Sequence, residues 1–168
     1  TIPQAAAAAE HAAAGIAKGG RLIYVGAGTS GRLGVLDASE CPPTFGVSYE
    51  TVQGHIAGGY GALIHAAEGA EDDADAGAEL IDSLDVNADD TVIGISASGG
   101  ARYVIAAVKR AREKGAYTAA ITSNPNTPLG RAAETEIAAI TGAEAVAGST
   151  RMKCGTAQKM VLNMISTS

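Results

Sequence analysis

The sequence predicts a three-layer αβα sandwich around a five-stranded parallel sheet. Three observations carry that prediction. Short apolar runs rich in Val, Ile and Thr alternate with helical stretches along 168 residues, as parallel strands do when helices cover both faces. The apolar side chains make up 46% of the chain and are mostly Ala, Val, Ile and Leu, with 4% aromatics and no Trp, which suits helices lying close on a sheet. Polar, glycine-rich loops follow the strands, where ligands of such sheets bind. The length suits one domain, 1–168, with a real core.

The elements follow in order. Gln4 to Lys18 is Ala-rich and stops at Gly19-Gly20, a helix with a glycine end. Leu22–Val25 is the first strand. The helix after it is expected to end before Pro42-Pro43, because residues preceding proline avoid helical backbone. Thr51–Ile56 reads as the second strand, Gly61–Ala67 as a short helix, and Glu71–Leu84 as an acidic amphipathic helix. Thr91–Ser96 is the third strand, followed by a helix over Ala101–Lys114 that stops at Gly115. Tyr117–Thr122 is the fourth strand, Ser123–Pro128 a turn-rich segment, Glu136–Ile140 a fifth short strand, and Met152–Ile165 a closing helix. The chain begins at Thr1 and ends in an uncapped helical pattern, so it reads as a fragment of a longer protein.

A net charge of −6 and the lack of any Lys/Arg cluster argue against nucleic acid as a partner. No apolar run reaches the roughly 18 residues needed to span a membrane. Cys41 and Cys154 have neither metal-ligand nor disulfide-framework spacing, which points to a reduced, cytoplasmic setting.

Gly26-Ala-Gly28-Thr29-Ser30-Gly31-Arg32 joins the first strand to the next helix. A glycine-rich turn at a helix N-terminus is an anion site, because free amides and the helix dipole favour negative charge. Thr29 and Ser30 add hydroxyls. The stretch fits G-x-G-x-x-G, but a dinucleotide site also wants an acid at the end of the second strand, roughly 20 residues on. Here that strand runs into Gly54-His-Ile-Ala-Gly-Gly59. A phosphate monoester is therefore favoured over a dinucleotide or a purely structural turn.

Ser96, Ser98 and Gly99 repeat the same chemistry after the third strand, with an N-cap by Ser98 as the bland alternative. Ser149, Thr150 and Lys153 form a third polar cluster at the last helix, where a cap and solvated charges are equally good readings. Two carboxylates are candidates for proton transfer. Glu40 is placed at the C-terminal end of the glycine-loop helix, where the dipole disfavours its charge, as suits a proton donor. Glu71 opens a helix, where an acid is more often a dipole partner. His11, His55 and His65 are isolated and read as structural or exposed, and Asp72, Asp73 and Asp75 as a solvated helix face.

The stretch Gly26 to Gly46, with Ile56-Ala-Gly-Gly59, Glu68-Gly-Ala-Glu-Asp72, Gly148-Ser-Thr-Arg-Met-Lys-Cys-Gly-Thr-Ala-Gln-Lys159 and Val161–Thr167, resembles the signature of N-acetylmuramic acid 6-phosphate etherases, members of the sugar isomerase (SIS) domain superfamily. The resemblance covers nearly the whole chain. It departs at Gly100-Ala101-Arg102, where Arg-Thr-Pro is usual, and at Cys154, where Ala is usual. It implies a flavodoxin-like five-stranded SIS domain, a homodimer with the sugar phosphate near the interface, and a missing C-terminal helical region. The implied reaction removes the D-lactyl ether by elimination and hydration, without metal or redox cofactor. Glu40 falls on the glutamate that protonates departing lactate and Glu71 on the second acid–base glutamate. Gly28, Thr29, Ser30, Arg32, Ser96, Ser98, Gly99, Ser149, Thr150 and Lys153 are the expected contacts to an amino-sugar 6-phosphate. A sugar-phosphate-binding regulator and an aldose–ketose isomerase are the alternatives on the same fold.

Overall fold

A computed structural model describes all of residues 1–168. It contains helices α1 (Ile2–Ile16), α2 (Gly28–Phe45), α3 (Ala74–Ser83), α4 (Arg102–Glu113), α5 (Pro128–Ala132) and α6 (Lys153–Thr167). The strands are β1 (Leu22–Gly26), β2 (Val52–Ile56), β3 (Thr91–Ile95), β4 (Tyr117–Thr122) and β5 (Thr135–Ala138). They form one sheet in the order β2-β1-β3-β4-β5. Every pairing is parallel, as the alternation of strands and helices predicts.

Side chains alternate across a strand, so each strand feeds two cores. Leu22, Tyr24, Ile93, Ile95, Ile121 and Ile137 face α1, α2 and α6 in one buried cluster. Ile23, Val25, Val92 and Ala120 face α3, α4 and α5 in the other. Small residues let the helices lie close. Ala8 of α1 and Ala107 and Ala111 of α4 are fully buried.

The chain order reverses between β1 and β3, one strand leading outward to β2 and the other to β4 and β5. The loops after β1 and β3 therefore diverge and leave a crevice at the carboxyl ends of the strands, the place where doubly wound sheets bind ligands.

Several expectations are corrected. Helix α2 does not stop before Pro42-Pro43 but carries both prolines to Phe45. The prolines fall in the last turn and a half, where the carbonyls they leave unpaired are few. Gly46 then ends the helix in left-handed backbone, with φ 70° and its N–H on Pro42 O at 2.9 Å. The expected helix over Gly61–Ala67 is a single 3-10 turn, Tyr60–Leu63. The expected helix over Glu71–Leu84 is divided: Ala70–Asp72 is a 3-10 turn, and α3 starts only after Asp73, whose carboxylate accepts from Ala76 N at 3.0 Å. The last strand starts one residue earlier than expected and ends two earlier, at Ala138, leaving Ile140 exposed. Helix α5 falls within a segment with no helix expected beyond its turn. Its signals are local: Pro128 in the first turn and Thr127 as a cap, accepting from Gly130 N at 2.9 Å.

Candidate functional site

The glycine loop delivers the first turn of α2 to the crevice. No side chain caps this 18-residue helix, so its leading amides point outward without an intrahelical partner. The loop sits tight on the sheet. A Cβ on Gly31 would lie 2.6 Å from Ile56 Cγ1 and 2.9 Å from Gly26 O, so only glycine fits there. Gly28 is open, with φ +53° and nothing within 4 Å of where a Cβ would stand. Thr29 is half-buried beside it. Ser30 is more committed: it is buried, and its hydroxyl donates to Gln158 Oε1 on α6 at 3.0 Å. Ser30 thus ties α6 to the loop, and an anion would meet its amide.

Across the crevice, the loop after β3 arranges its hydroxyls as acceptors from its own backbone. Ser96 Oγ accepts from Gly99 N at 3.2 Å, and Ser98 Oγ accepts from Gly100 N at 3.2 Å. Both protons stay available for donation to a ligand. Ser98 does not cap α4, whose N-cap is Ala101 without a side-chain bond. A second uncapped helix N-terminus therefore faces the crevice. Gly99 is in left-handed backbone at φ +68°, and a Cβ there would lie 2.3 Å from Thr127 Cβ. Gly99→Ala is expected to destabilise the fold by about 2 kcal/mol or more, from backbone strain and the clash with the loop after β4. A thermal unfolding midpoint at or above that of the unmodified protein would contradict this.

The third cluster is arranged differently from either sequence reading. Neither Ser149 nor Thr150 caps α6. Glu144, a residue that sequence reasoning passed over, reaches back to the helix start. Its carboxylate accepts from Lys153 N and Cys154 N, each at 3.1 Å. Desolvation pushes the Glu144 carboxyl up, but the amides of Cys154, Lys153 and Met152 outweigh it and hold it below the usual range. Lys153 Nζ donates to Ala143 O at 2.8 Å, so its charge secures the loop rather than standing free for a phosphate. The start of α6 still borders the glycine loop, since a Cβ on Gly155 would lie 3.6 Å from Thr29 Cγ2.

The two glutamates line different cavities. Glu71 shares a cavity of about 270 Å³ with Gly28 and Arg32, beside the glycine loop. Glu40 lines a groove of about 280 Å³ between α2 and α6, with Asp37, Lys159 and Asn163. Because α2 runs on to Phe45, Glu40 lies inside the helix, and the helix-end argument for it fails. Twelve residues separate Gly28 from Glu40 on one helix, about 18 Å along its axis. That exceeds the distance from the phosphorus to the C3 oxygen of a hexose 6-phosphate.

The remaining candidates are structural. His55 hydrogen-bonds Gln53 at 3.2 Å, with its pKa lowered by burial and by the Arg21 charge. His11 stacks on Tyr117 at 3.8 Å. Asp73 caps α3, and Asp72 pairs with Arg102 at 3.4 Å on the surface. Cys41 and Cys154 are buried free thiols, and burial, helped by Asp37, pushes Cys41 up to about 11.

Comparison with known proteins agrees with this fold. The profile of the glucokinase regulatory protein N-terminal SIS domain matches residues 4–112, and the SIS domain profile matches residues 72–168. N-acetylmuramic acid 6-phosphate etherase of Cronobacter sakazakii is 59% identical over 167 residues, covering 99% of this chain. The chain spans only 56% of that relative's length. Among solved structures, a phosphoheptose isomerase from Neisseria gonorrhoeae superposes with a TM-score of 0.76 at 17% identity, covering 99% of this chain and 84% of its own. The Vibrio vulnificus NanR protein complexed with ManNAc-6P superposes with a TM-score of 0.66 at 14% identity, covering 99% and 54%. No helix is long and apolar enough to cross a membrane.

Proposed function

The chain belongs to the SIS domain family, and on that premise we propose that it is the sugar-phosphate-binding and catalytic domain of an N-acetylmuramic acid 6-phosphate etherase. The observation that carries this reading is the single cavity in which Glu71 stands beside the open, uncapped glycine loop. The etherase name of a relative 59% identical gives the reaction its class. An amino-sugar 6-phosphate held by the NanR neighbour gives the ligand chemistry a parallel on the same fold.

In this reading the phosphate lies on the leading amides of α2, with Thr29, Ser96 and Ser98 donating hydroxyl protons. The sugar extends toward Glu71. In the open-chain aldehyde the C2 proton is acidic, and Glu71 removes it as general base. The electron pair forms the C2–C3 double bond and the C3–O bond breaks. Glu40 supplies the proton that lets D-lactate leave as a neutral hydroxyl. Water then adds at C3 and a proton returns to C2, giving N-acetylglucosamine 6-phosphate. These steps need two proton-transfer groups and no change of oxidation state.

Glu40 cannot reach that C3 oxygen within its own chain, so a second copy supplies it. The groove holding Glu40 is bordered by α2 and α6. These helices expose Leu36, Met160 and Met164. A two-fold contact there buries these side chains and brings each Glu40 toward the partner's sugar. The two free cysteines accord with a reducing cytoplasmic location.

The deciding experiment is incubation of the protein with N-acetylmuramic acid 6-phosphate and assay of D-lactate. Lactate release supports the etherase. Sugar-phosphate binding without lactate favours a regulatory role, the reading that the match to the glucokinase regulatory protein profile keeps in view.

A further inference from the structure

Arg32 lies in the second turn of α2, where the sequence predicts a phosphate contact. Its guanidinium is engaged elsewhere. Nε donates to Leu63 O at 2.9 Å, and Nη2 donates to Ala62 O at 2.7 Å. Both carbonyls belong to the 3-10 turn Tyr60–Leu63, at the start of the segment that leads to Glu71. A planar fork holding two carbonyls fixes orientation as well as position, which a lysine ammonium cannot do.

That clamp is transmitted to Glu71 by close packing. Ala62 is buried, 4% exposed. A Cβ on Gly58 would lie 2.7 Å from Ala67 Cβ, 3.3 Å from Ala62 Cβ and 3.4 Å from Ala70 Cβ. Three alanines from three stretches of the segment thus close over one glycine. The residue Arg32 grips belongs to that knot, and Ala70 in the same knot precedes Glu71. On the far side, the segment's ion pair is the exposed Asp72–Arg102 contact, which adds little.

We propose that Arg32 is a positioning residue for Glu71. Its guanidinium locks the 57–72 segment against the first turns of α2 and so fixes the carboxylate relative to the phosphate loop. The proposal rests on the assignment of Glu71 made above. It differs from a phosphate-binding role in what it changes: loss of the fork moves the base and leaves the anion site intact.

The test is Arg32→Lys, which keeps the charge and loses the fork. D-lactate release is expected to fall about hundredfold in kcat, the usual result of displacing a catalytic group by about 1 Å. KM and inhibition by inorganic phosphate are expected to stay unchanged. Hydrogen exchange of the amides from Tyr60 to Asp72 is expected to quicken, with the sheet unaffected. Gly58→Ala, which pushes Ala67 outward from the other side of the knot, is expected to reproduce the kcat loss. Guanidinium ion added to Arg32→Ala is expected to restore part of the rate. Unaltered exchange in the segment overturns the proposal, as does weakened phosphate inhibition with kcat intact. If the unmodified protein releases no lactate, the etherase reading falls, and the exchange measurement alone still decides whether Arg32 clamps the segment.

Discussion

Mixing Glu40→Ala protein with Glu71→Ala protein is expected to restore D-lactate release that neither variant shows alone. Each substitution removes one proton-transfer group, and such a group contributes about a hundredfold to ten-thousandfold in rate. The recovery follows from where the two glutamates lie. Glu71 shares a cavity with Gly28 and Arg32, while Glu40 stands about 18 Å along α2, in the groove against α6. In the proposed dimer, a sugar whose phosphate rests on the glycine loop of one copy takes Glu71 from that copy and Glu40 from its partner. In a heterodimer of the variants, one of the two sites keeps both glutamates. Statistical re-association makes half the dimers heterodimers, so about one quarter of the sites regain activity. The measurement is lactate release after joint unfolding and refolding, with heterodimer content checked by differently sized tags. Heterodimers that form and release no lactate would show that both glutamates must come from one chain. Substituting Leu36→Glu on the exposed border of the same groove is expected to dissociate the pair and abolish lactate release, while sugar-phosphate binding to the glycine loop persists.

The sheet and its loops were legible because their signals are local and repetitive. Each of β1, β3 and β4 is an apolar run bounded by glycine or polar residues, and burial on both faces gave such runs no competing reading. The crevice was legible for the same reason, since a glycine-rich turn between strand and helix carries its own geometry. Most of what escaped depended on partners distant in the chain, the end of α2 excepted. Pro42 and Pro43 read as a helix end, yet the helix continued because Gly46 offered a better stop one turn later. Arg32 read as a phosphate contact, but its partners are carbonyls some thirty residues on. Ser30 read as a donor to ligand, but Gln158 takes its proton from α6. Glu144 carried no motif, and only the return of the chain to α6 reveals it as that helix's anion. The two glutamates were joined in one site by resemblance alone; the sequence placed Glu40 on the glycine-loop helix, but only the two separate cavities show that it does not share the loop's own crevice.

Replacing Asp90 by Asn is expected to cost about 3 kcal/mol of stability, the lower end for breaking a buried ion pair when one partner keeps some solvent. Asp90 stands just before β3 with its side chain fully buried, and Arg21 just before β1. The carboxylate accepts from Arg21 N at 2.8 Å, Nε at 3.0 Å and Nη2 at 2.6 Å, and from Asn87 N at 3.0 Å. It thus joins two central strands at their amino ends, and an amide side chain can neither accept all four bonds nor neutralise Arg21. By contrast, Asp82→Asn, in the exposed network with Arg110 and Lys114, is expected to leave the unfolding midpoint unmoved. The pH dependence follows from the same contacts. Burial pushes the Asp90 carboxyl up, but Arg21 and the amides of Asn87 and Arg21 outweigh it and hold it below the usual range. A carboxyl with a lower pKa folded than unfolded gives its full stabilisation above about pH 4 and loses it as pH falls through the folded value. Urea midpoints measured from pH 7 downward should therefore drop less steeply in Asp90→Asn than in the unmodified protein. Identical slopes would remove Asp90 as the cause. The pair lies at the opposite end of the strands from the crevice, so sugar-phosphate affinity measured well below the melting temperature should survive the substitution. Loss of affinity there would mean that the amino ends of β1 and β3 also set the spacing of the loops that hold the ligand.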